Sequence, residues 1–278
     1  MKVIAVANQK GGVAKTTTCL NLAAEFAAAG NRLLLIDLDA QASATCAVLG
    51  NVEHERSTYD VMAGPAPLAE IIQHSDAFGF DIAPGDILLS GIELQVAQLM
   101  GREKILSKKL KDIDYDIVFI DTPPSLGLLT VNALTAADAV LVTICPEYFS
   151  LRGIALLERT VDSVRDQLDS PVRIGGVLIT RYRDRVVTRE AERIIREYFG
   201  DRVFNTMVAE NIRLEEAHNV HLPVGKYDPG SKGAQAYREV AREILNGHPL
   251  WGAQPETAEE TFGHRADQPD HSATDQGE

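Results

Sequence analysis

The sequence predicts an α/β fold in which helices cover both faces of a doubly wound, mostly parallel sheet. Short apolar runs, typical of strands buried on both faces, alternate with segments that have the period of amphipathic helices. The predicted strands are residues 3–8, 33–38, 117–121, 139–144 and 174–180. The predicted helices are residues 15–29, 91–112, 127–136, 151–168, 188–199 and 233–246. Ligands of such a sheet bind beyond the carboxyl ends of its strands, so the chemistry is expected just after Asn8, Leu38 and Ile120.

One folded domain over residues 1–247 is predicted, followed by an acidic, disordered tail over residues 248–278. The 278 residues are 45% hydrophobic, which is enough apolar material for one sizeable domain. From Pro249 to Glu278 the chain has seven acidic residues and one basic residue. The net charge of −13, taken alone, argues against a nucleic-acid partner. Because much of it lies in the tail, it says little about the folded surface.

The composition also predicts a cytoplasmic protein. No apolar run approaches the roughly 20 residues that cross a bilayer, and the N-terminus has no signal-peptide pattern. The three cysteines, Cys19, Cys46 and Cys145, are far apart and lack the spacing of paired metal ligands. They are predicted to be reduced, buried thiols.

A phosphate-binding loop is predicted between the first strand and the first helix, over Gln9-Lys10-Gly11-Gly12-Val13-Ala14-Lys15-Thr16-Thr17. Glycines let backbone N–H groups turn toward phosphate oxygens, and the helix N-terminus adds positive potential. Lys15 can reach the β- and γ-phosphates, and the Thr16 hydroxyl can ligate Mg²⁺. The standard G-x-x-x-x-G-K-[ST] pattern has glycine where Gln9 and Ala14 stand here, so an ordinary strand–turn–helix connection is the alternative.

Lys10-Gly11-Gly12-x-x-Lys15-Thr16 resembles the deviant Walker A motif of the ParA/MinD family. The resemblance implies a P-loop NTPase type of sheet, ATP and Mg²⁺ as cofactors, and hydrolysis of ATP to ADP and phosphate. It also implies that Lys10 reaches across a sandwich homodimer to the nucleotide of the partner subunit. Lys10 and Lys15 are therefore predicted catalytic residues. Ala14 departs from the glycine that is commoner in the family.

Two aspartates after the second strand continue the resemblance. Asp37-Leu38-Asp39-Ala40-Gln41 is similar to the family's Asp-x-Asp-Pro-Gln, with Ala40 in place of the proline. The resemblance implies that Asp39 positions or activates the attacking water, as a catalytic residue, and that Asp37 supports the Mg²⁺ environment. Ordinary carboxylates at a strand end are the alternative.

A third aspartate ends the predicted strand 117–121. Ile120-Asp121-Thr122-Pro123-Pro124-Ser125 resembles the family's Walker B segment. A carboxylate at the end of a buried strand costs free energy unless it is paired or lies near a metal. Asp121 is thus predicted to be an outer Mg²⁺ ligand rather than a purely structural carboxylate, which completes the predicted metal set of Thr16, Asp37 and Asp121.

The resemblance extends over about residues 2–246 and is greatest to the small chromosomal ParA, or Soj, branch. The matching segments are residues 125–134, 147–151, 211–217 and 227–234. Asn211 lies in a segment that borders the adenine in relatives, so a role in ATP binding is carried over to it. Glu210 stands where those relatives usually have arginine.

The resemblance implies a switch cycle that segregates chromosome or plasmid DNA. ATP closes a homodimer, the dimer holds nucleoid DNA without sequence preference, and a ParB-like partner triggers hydrolysis and release. A positioning ATPase with a protein cargo has the same motor and stays open as an alternative. A MinD-like cell-division regulator would end in a basic amphipathic helix that lies on a membrane, whereas this C-terminus is acidic, so no stable membrane association is expected. An amidoligase-like synthase would need a second substrate pocket, of which the sequence has no sign.

Basic residues in the C-terminal segments are the predicted contacts to double-stranded DNA. Soj-like relatives place such residues there, and the predicted contacts here are Arg213, Lys226 and Lys232. Scattered, solvated cations are the alternative. Because Glu210 and Gly230 stand where relatives often have arginine, the contact could instead move to Arg181, Arg183 and Arg185.

Overall fold

The structure, a computed structural model, describes residues 1–148 and 151–251 and contains one seven-stranded sheet. The strands are β1 (Lys2–Ala7), β2 (Leu33–Asp37), β3 (Gln73–Ser75), β4 (Phe80–Ala83), β5 (Ile117–Asp121), β6 (Ala139–Ile144) and β7 (Ile174–Ile179). Their order across the sheet is β3-β4-β2-β5-β1-β6-β7. All neighbours run parallel except β3, which is antiparallel to β4 at one edge. The predicted α/β class with a mostly parallel sheet is confirmed.

Helices cover both faces of this sheet. They are α1 (Lys15–Ala28), α2 (Ser43–Leu49), α3 (Thr58–Ala63), α4 (Ile92–Gln95), α5 (Ile105–Lys109), α6 (Leu128–Ala136), α7 (Leu151–Leu168), α8 (Val186–Phe199), α9 (Ile212–Asn219), α10 (Val224–Tyr227) and α11 (Lys232–Leu245). Successive strand residues alternate between two cores, because side chains along a strand point to opposite faces. Val118 and Ile120 pack under α3 to α8, whereas Ile117 and Phe119 pack under α1, α2 and α9 to α11.

The carboxyl ends of β1, β2 and β5 meet at one edge of the sheet. β1 lies between β5 and β6, and β5 lies between β1 and β2. In the register of β2 with β5, Asp37 is directly opposite Asp121. Val6 of β1 is opposite Asp121 on its other side. The parallel pairing therefore brings together the loops that follow all three strands.

The secondary structure differs from the prediction in several short elements and in one long helix. The hairpin of β3 and β4 was not predicted, because strands of three and four residues are too short for a periodic signal. The prediction of one helix over 91–112 is wrong, since only α4 and α5 are α-helical there. Gly101, between them, has a left-handed backbone with φ of 71°, which ends any continuous helix.

The packed part of the domain extends beyond residue 247. Leu250 is only 3% exposed and belongs to the core under α1 and α11. Trp251 stacks on Phe26 of α1, with ring centroids 5.5 Å apart and planes 10° apart. Leu250 and Trp251, which follow the predicted boundary at residue 247, are thus packed against the domain. The rest of the predicted tail, residues 252–278, lies outside the described residues.

Two of the three cysteines are buried as predicted, and the third is not. Cys19 and Cys145 are buried, Cys46 is partly exposed, and none of the three forms a disulfide within the described residues. Among the helices of residues 1–148 and 151–251, none has both the length and the apolar character needed to span a membrane.

Candidate nucleotide-binding site

The predicted P-loop connects β1 to α1. Gly12 and Ala14 in this loop have left-handed backbones, with φ of 73° and 60°. Left-handed conformation costs a residue other than glycine about 1–2 kcal/mol, because its Cβ crowds the following carbonyl. Ala14, the residue before α1, therefore keeps a conformation for which glycine is preferred, and it does so at a cost in free energy.

The predicted ATP-binding residues differ in exposure along this loop. The exposed ones are Gln9, Lys10, Gly11 and Gly12, the partly exposed ones are Ala14, Thr16 and Thr17, and the buried ones are Val13 and Lys15. Successive N–H groups at such a turn form a concavity that binds anions. The loop therefore presents exposed backbone, with a cation behind it, at the carboxyl edge of the sheet.

Lys15 supplies that cation from the first position of α1. Its side chain is folded over the loop, where Nζ donates a hydrogen bond to the Lys10 carbonyl oxygen at 3.3 Å. The residue is only 7% exposed. Burial lowers the pKa of Lys15, whereas the nearby Asp121 and Asp39 carboxylates oppose this change. Lys15 thus lies between the loop and the acidic residues, in a position to pair with phosphate oxygens.

Asp121 lies fully buried at the end of β5, and neither of its carboxylate oxygens has a well-formed hydrogen bond within the described residues. Burial raises the pKa of Asp121 well above its usual range, and the Asp37 carboxylate adds to the rise. The neighbouring Thr16 hydroxyl acts in the opposite direction. Such a carboxylate is costly without a partner, so Thr16 and Asp121 fit a bound cation.

The chemistry of these groups suits Mg²⁺. No cluster of three or more His, Cys, Asp and Glu in the described residues could form an all-protein metal cage. Mg²⁺ usually keeps several waters and is held by one or two protein groups together with substrate phosphates. Thr16 and Asp121 are a donor set of that kind beside the phosphate loop.

Asp37 is satisfied by the protein itself. Its Oδ2 accepts hydrogen bonds from the Thr45 backbone N–H at 2.9 Å and the Thr45 hydroxyl at 2.7 Å. Its Oδ1 accepts one from the Asp39 backbone N–H at 3.0 Å. Burial nevertheless raises the pKa of Asp37. These contacts make Asp37 the anchor of the loop that carries Asp39, and they add a position that sequence reasoning missed, Thr45 in α2.

Asp39 is partly exposed at the carboxyl edge. Its Oδ1 accepts a hydrogen bond from the Gln41 backbone N–H at 3.0 Å, which fixes the carboxylate in the turn after β2. Its charge acts on both Lys15 and Asp121. The structure therefore brings Asp39 to the phosphate loop, as a group that water can reach.

The segment around Asn211 is linked to the P-loop by the side chain of the preceding residue, Glu210. Asn211 precedes α9, and its side-chain oxygen accepts a hydrogen bond from the Arg213 backbone N–H at 2.9 Å. Glu210, next to it, forms an ion pair at 3.2 Å with Arg181, which in turn contacts the Gly12 carbonyl at 3.2 Å. The predicted adenine segment is thus connected to the phosphate loop.

The predicted DNA-contact residues lie at the starts of α9 and α11 and in α10, which packs against both helices. Arg213 is paired with Glu216 at 2.7 Å and Asp228 at 3.4 Å. Lys226 donates a hydrogen bond to the Asp76 carbonyl at 3.2 Å. Lys232 is exposed and forms no ion pair with any described residue. The charge of Arg213 is therefore largely compensated, whereas that of Lys232 is not.

The alternative arginines are paired as well. Arg181 and Arg183 both form ion pairs with Glu210. Arg185 pairs with Glu147, which follows β6, at 3.0 Å. Carboxylates therefore compensate much of the positive charge of these three arginines. Arg181 also contacts the P-loop at the Gly12 carbonyl.

A strand–loop–helix connection with a lysine over the loop and carboxylates at adjacent strand ends is the site of a P-loop nucleotide hydrolase. A family model described as an AAA domain (AAA_31) matches residues 1–174. The chain is 40% identical over 252 residues to the chromosome partitioning protein ParA of Caulobacter vibrioides, covering 88% of this chain and 94% of that protein. It is 39% identical over 247 residues to the sporulation initiation inhibitor protein Soj of Bacillus subtilis, covering 87% and 98%.

The chain belongs to this AAA_31 family and is a P-loop ATPase of the ParA/MinD type. A similar solved structure is that of cobyrinic acid a,c-diamide synthase from Mycobacterium smegmatis with a bound ATP analog and magnesium. The TM-score is 0.78 and the identity 34%, over 88% of this chain and 94% of that one. These similarities confirm the predicted family, fold type and ATPase class.

Proposed function

We propose that the chain is a ParA-like partition ATPase that acts as an ATP-dependent sandwich dimer. In this proposal the dimer binds nucleoid DNA in the cytoplasm without sequence preference, and a ParB-like partner stimulates hydrolysis of Mg²⁺-bound ATP and release. Chromosome or plasmid DNA is the cargo. The observation that carries the proposal is the similarity, over 88% of the chain, to a protein named for chromosome partitioning.

The two lysines of the loop support the dimer. Lys15 is buried against its own loop, but Lys10 is exposed. A lysine at an exposed loop position can reach a phosphate on a facing subunit. ATP whose γ-phosphate is contacted by both subunits binds the closed dimer more tightly than the open state. Only such a difference in affinity can shift the equilibrium toward the closed dimer.

Lys10→Ala is expected to separate ATP binding from dimerisation. The variant keeps Lys15, Thr16 and the loop backbone, so ATP should still bind. The trans contact is lost, so sedimentation with a slowly hydrolysed ATP analogue should show monomer for the variant and dimer for the parent. Lys111→Ala, which removes another exposed lysine, is the matched control and should remain dimeric. Two identical profiles for the parent and Lys10→Ala would refute the trans role.

DNA binding is proposed for the surface that contains Arg213, Lys226 and Lys232. Phosphate contacts depend on local cations more than on net charge, and dimerisation doubles the number of such cations. Because Lys232 is exposed and has no ion pair among the described residues, it can contact a phosphate without first breaking one. Arg213 must first leave Glu216 and Asp228, so its contribution is expected to be smaller.

A titration with duplex DNA tests this function. Binding is expected with ATP and not with ADP or without nucleotide. The logarithm of the association constant should fall linearly with the logarithm of the salt concentration. Lys232→Glu should weaken binding more than Arg213→Glu. Deletion of residues 252–278 removes acidic chain but keeps Leu250 and Trp251 packed, and it should leave binding intact or strengthen it. Equal binding under all three nucleotide conditions, or none with ATP at low salt, would reject the DNA mechanism.

Two alternatives to this function are distinguished by other observations. A positioning ATPase whose cargo is a protein assembly would share the motor chemistry, so its cargo must be identified from the partner that stimulates hydrolysis. A synthase would need a second substrate pocket at the phosphates. One pocket, of about 420 Å³, is lined by residues 62–65, Leu99, Ile105, Lys108 and Lys109. Its lining contains none of the nucleotide-site residues, so it does not favour the synthase.

A further inference from the structure

The residues that follow β7 hold two consecutive carbonyl groups of the P-loop. The Thr180 hydroxyl donates a hydrogen bond to the Val13 carbonyl oxygen at 3.0 Å, and Thr180 is fully buried. The Arg181 guanidinium donates from Nη1 to the Gly12 carbonyl oxygen at 3.2 Å. The loop is therefore fixed from β7 as well as from its own strand and helix.

These two contacts determine where the loop's N–H groups point. A trans peptide is planar, so its C=O and N–H point in opposite directions. A Gly12 carbonyl held by Arg181 turns the Val13 N–H to the other side of the loop. A Val13 carbonyl held by Thr180 does the same for the Ala14 N–H. Phosphate binding at a P-loop depends on such N–H groups facing the anion together.

Arg181 is itself held in a defined position. Its Nη2 pairs with Glu210 Oε1 at 3.2 Å, and Arg183 pairs with the same carboxylate. Hydrogen bonds from Arg183 and Arg181 lower the pKa of Glu210, so the carboxylate stays charged. The Arg181 backbone is left-handed, with φ of 50°. A non-glycine residue keeps such a conformation only where its surroundings fix it.

We propose that Arg181 is a positioning residue for nucleotide binding, which holds the Gly12–Val13 peptide in the orientation that the β-phosphate needs. Glu210 keeps its guanidinium at the loop. The inference rests on ATP occupying the P-loop. An exposed arginine in an ion pair usually contributes little, so the contact with the Gly12 carbonyl, not the pair with Glu210, is the part that affects the nucleotide.

Arg181→Met tests this role, because methionine keeps the aliphatic length and removes every donor. Calorimetry with Mg²⁺-ATP and with Mg²⁺-ADP should show affinities weakened by a similar factor, roughly three- to tenfold, since both nucleotides have the β-phosphate. KM should rise by that factor while kcat stays within about twofold. Arg181→Lys, which keeps a donor, should recover part of the loss. Glu210→Gln should weaken both affinities less than Arg181→Met.

Arg189→Met is the matched control, because Arg189, in α8, is an exposed arginine in an ion pair with Asp184, which precedes that helix. It should bind both nucleotides like the parent. Thermal unfolding of all variants separates loop orientation from general stability. Parental affinity for Arg181→Met, or a loss that Arg189→Met shares, would overturn the inference while leaving the ATP site intact. A parent that binds no ATP would overturn the nucleotide assignment, and this inference with it.

Discussion

Lys15→Ala is expected to weaken ATP binding severely while the protein stays folded. The ammonium lies over the P-loop beside Asp121 and Asp39, and it is the buried cation of the site. Without it, the β- and γ-phosphates lose a charge-assisted partner and face the acidic residues directly. Hydrogen bonds to charged groups contribute about 1.5–3 kcal/mol each, so an affinity loss of roughly a hundredfold or more follows.

Calorimetric titration of the variant with Mg²⁺-ATP measures this loss. The side chain packs against loop and polar groups rather than in either apolar core, so the thermal midpoint should change little. Lys111→Ala is again the control for removal of one positive charge. Unchanged affinity in Lys15→Ala would mean that Lys15 is not the phosphate-binding lysine.

Asp39→Ala is expected to bind ATP, to accumulate as a dimer and to hydrolyse ATP roughly a hundredfold or more slowly than the parent. The phosphate loop, Lys15 and Thr16 remain in place, so the cradle for the nucleotide is kept. What is lost is the partly exposed carboxylate that can hold water at the carboxyl edge. Asp37 and Thr45 should keep the backbone of the turn unchanged, because their contacts do not use the Asp39 side chain.

Single-turnover hydrolysis and sedimentation with ATP measure the two halves of this expectation. Asp112→Ala removes an exposed carboxylate outside the nucleotide site and should behave like the parent in both. An Asp39→Ala protein that remains monomeric with ATP would show that Asp39 has a different role. Lys10→Ala is expected to stay monomeric with nucleotide whereas Asp39→Ala is expected to be dimeric, so each variant is a control for the other in sedimentation.

The central strands could be predicted from the sequence because each is a run of residues buried on both sides. Residues 117–121 and 139–144 match β5 and β6 in their bounds. The apolar pattern between residues 91 and 112 was misleading, because apolar side chains of short turns can cover a core as well as those of a long helix. β4 pairs with β2, and β3 pairs with β4, and these strand pairings are not visible in a local sequence pattern.

The phosphate loop and the three aspartates could be predicted because they follow strands whose ends must meet in a parallel sheet. The partners of these residues could not. Thr180 and Arg181 contact the P-loop from 167 and 169 residues further along the chain, and no spacing connects them to it. Thr45 is only eight residues after Asp37, but it lies in α2, a helix too short to give a periodic signal. The pairing of Arg213 with Glu216, three residues on in the same helix, is consistent with their spacing, whereas the contact of Arg213 with Asp228 could not be predicted from it.

The stacking of Trp251 on Phe26 makes the chain its own optical reporter. Trp251 is the single tryptophan of the sequence, so the intrinsic fluorescence above the tyrosine band comes from one place. That place is α1, the helix whose first turn carries Lys15 and Thr16. A shift of α1 when nucleotide binds would change the emission of this indole without any label. Since Trp251 precedes residue 252, the same signal is available in the protein shortened at that point.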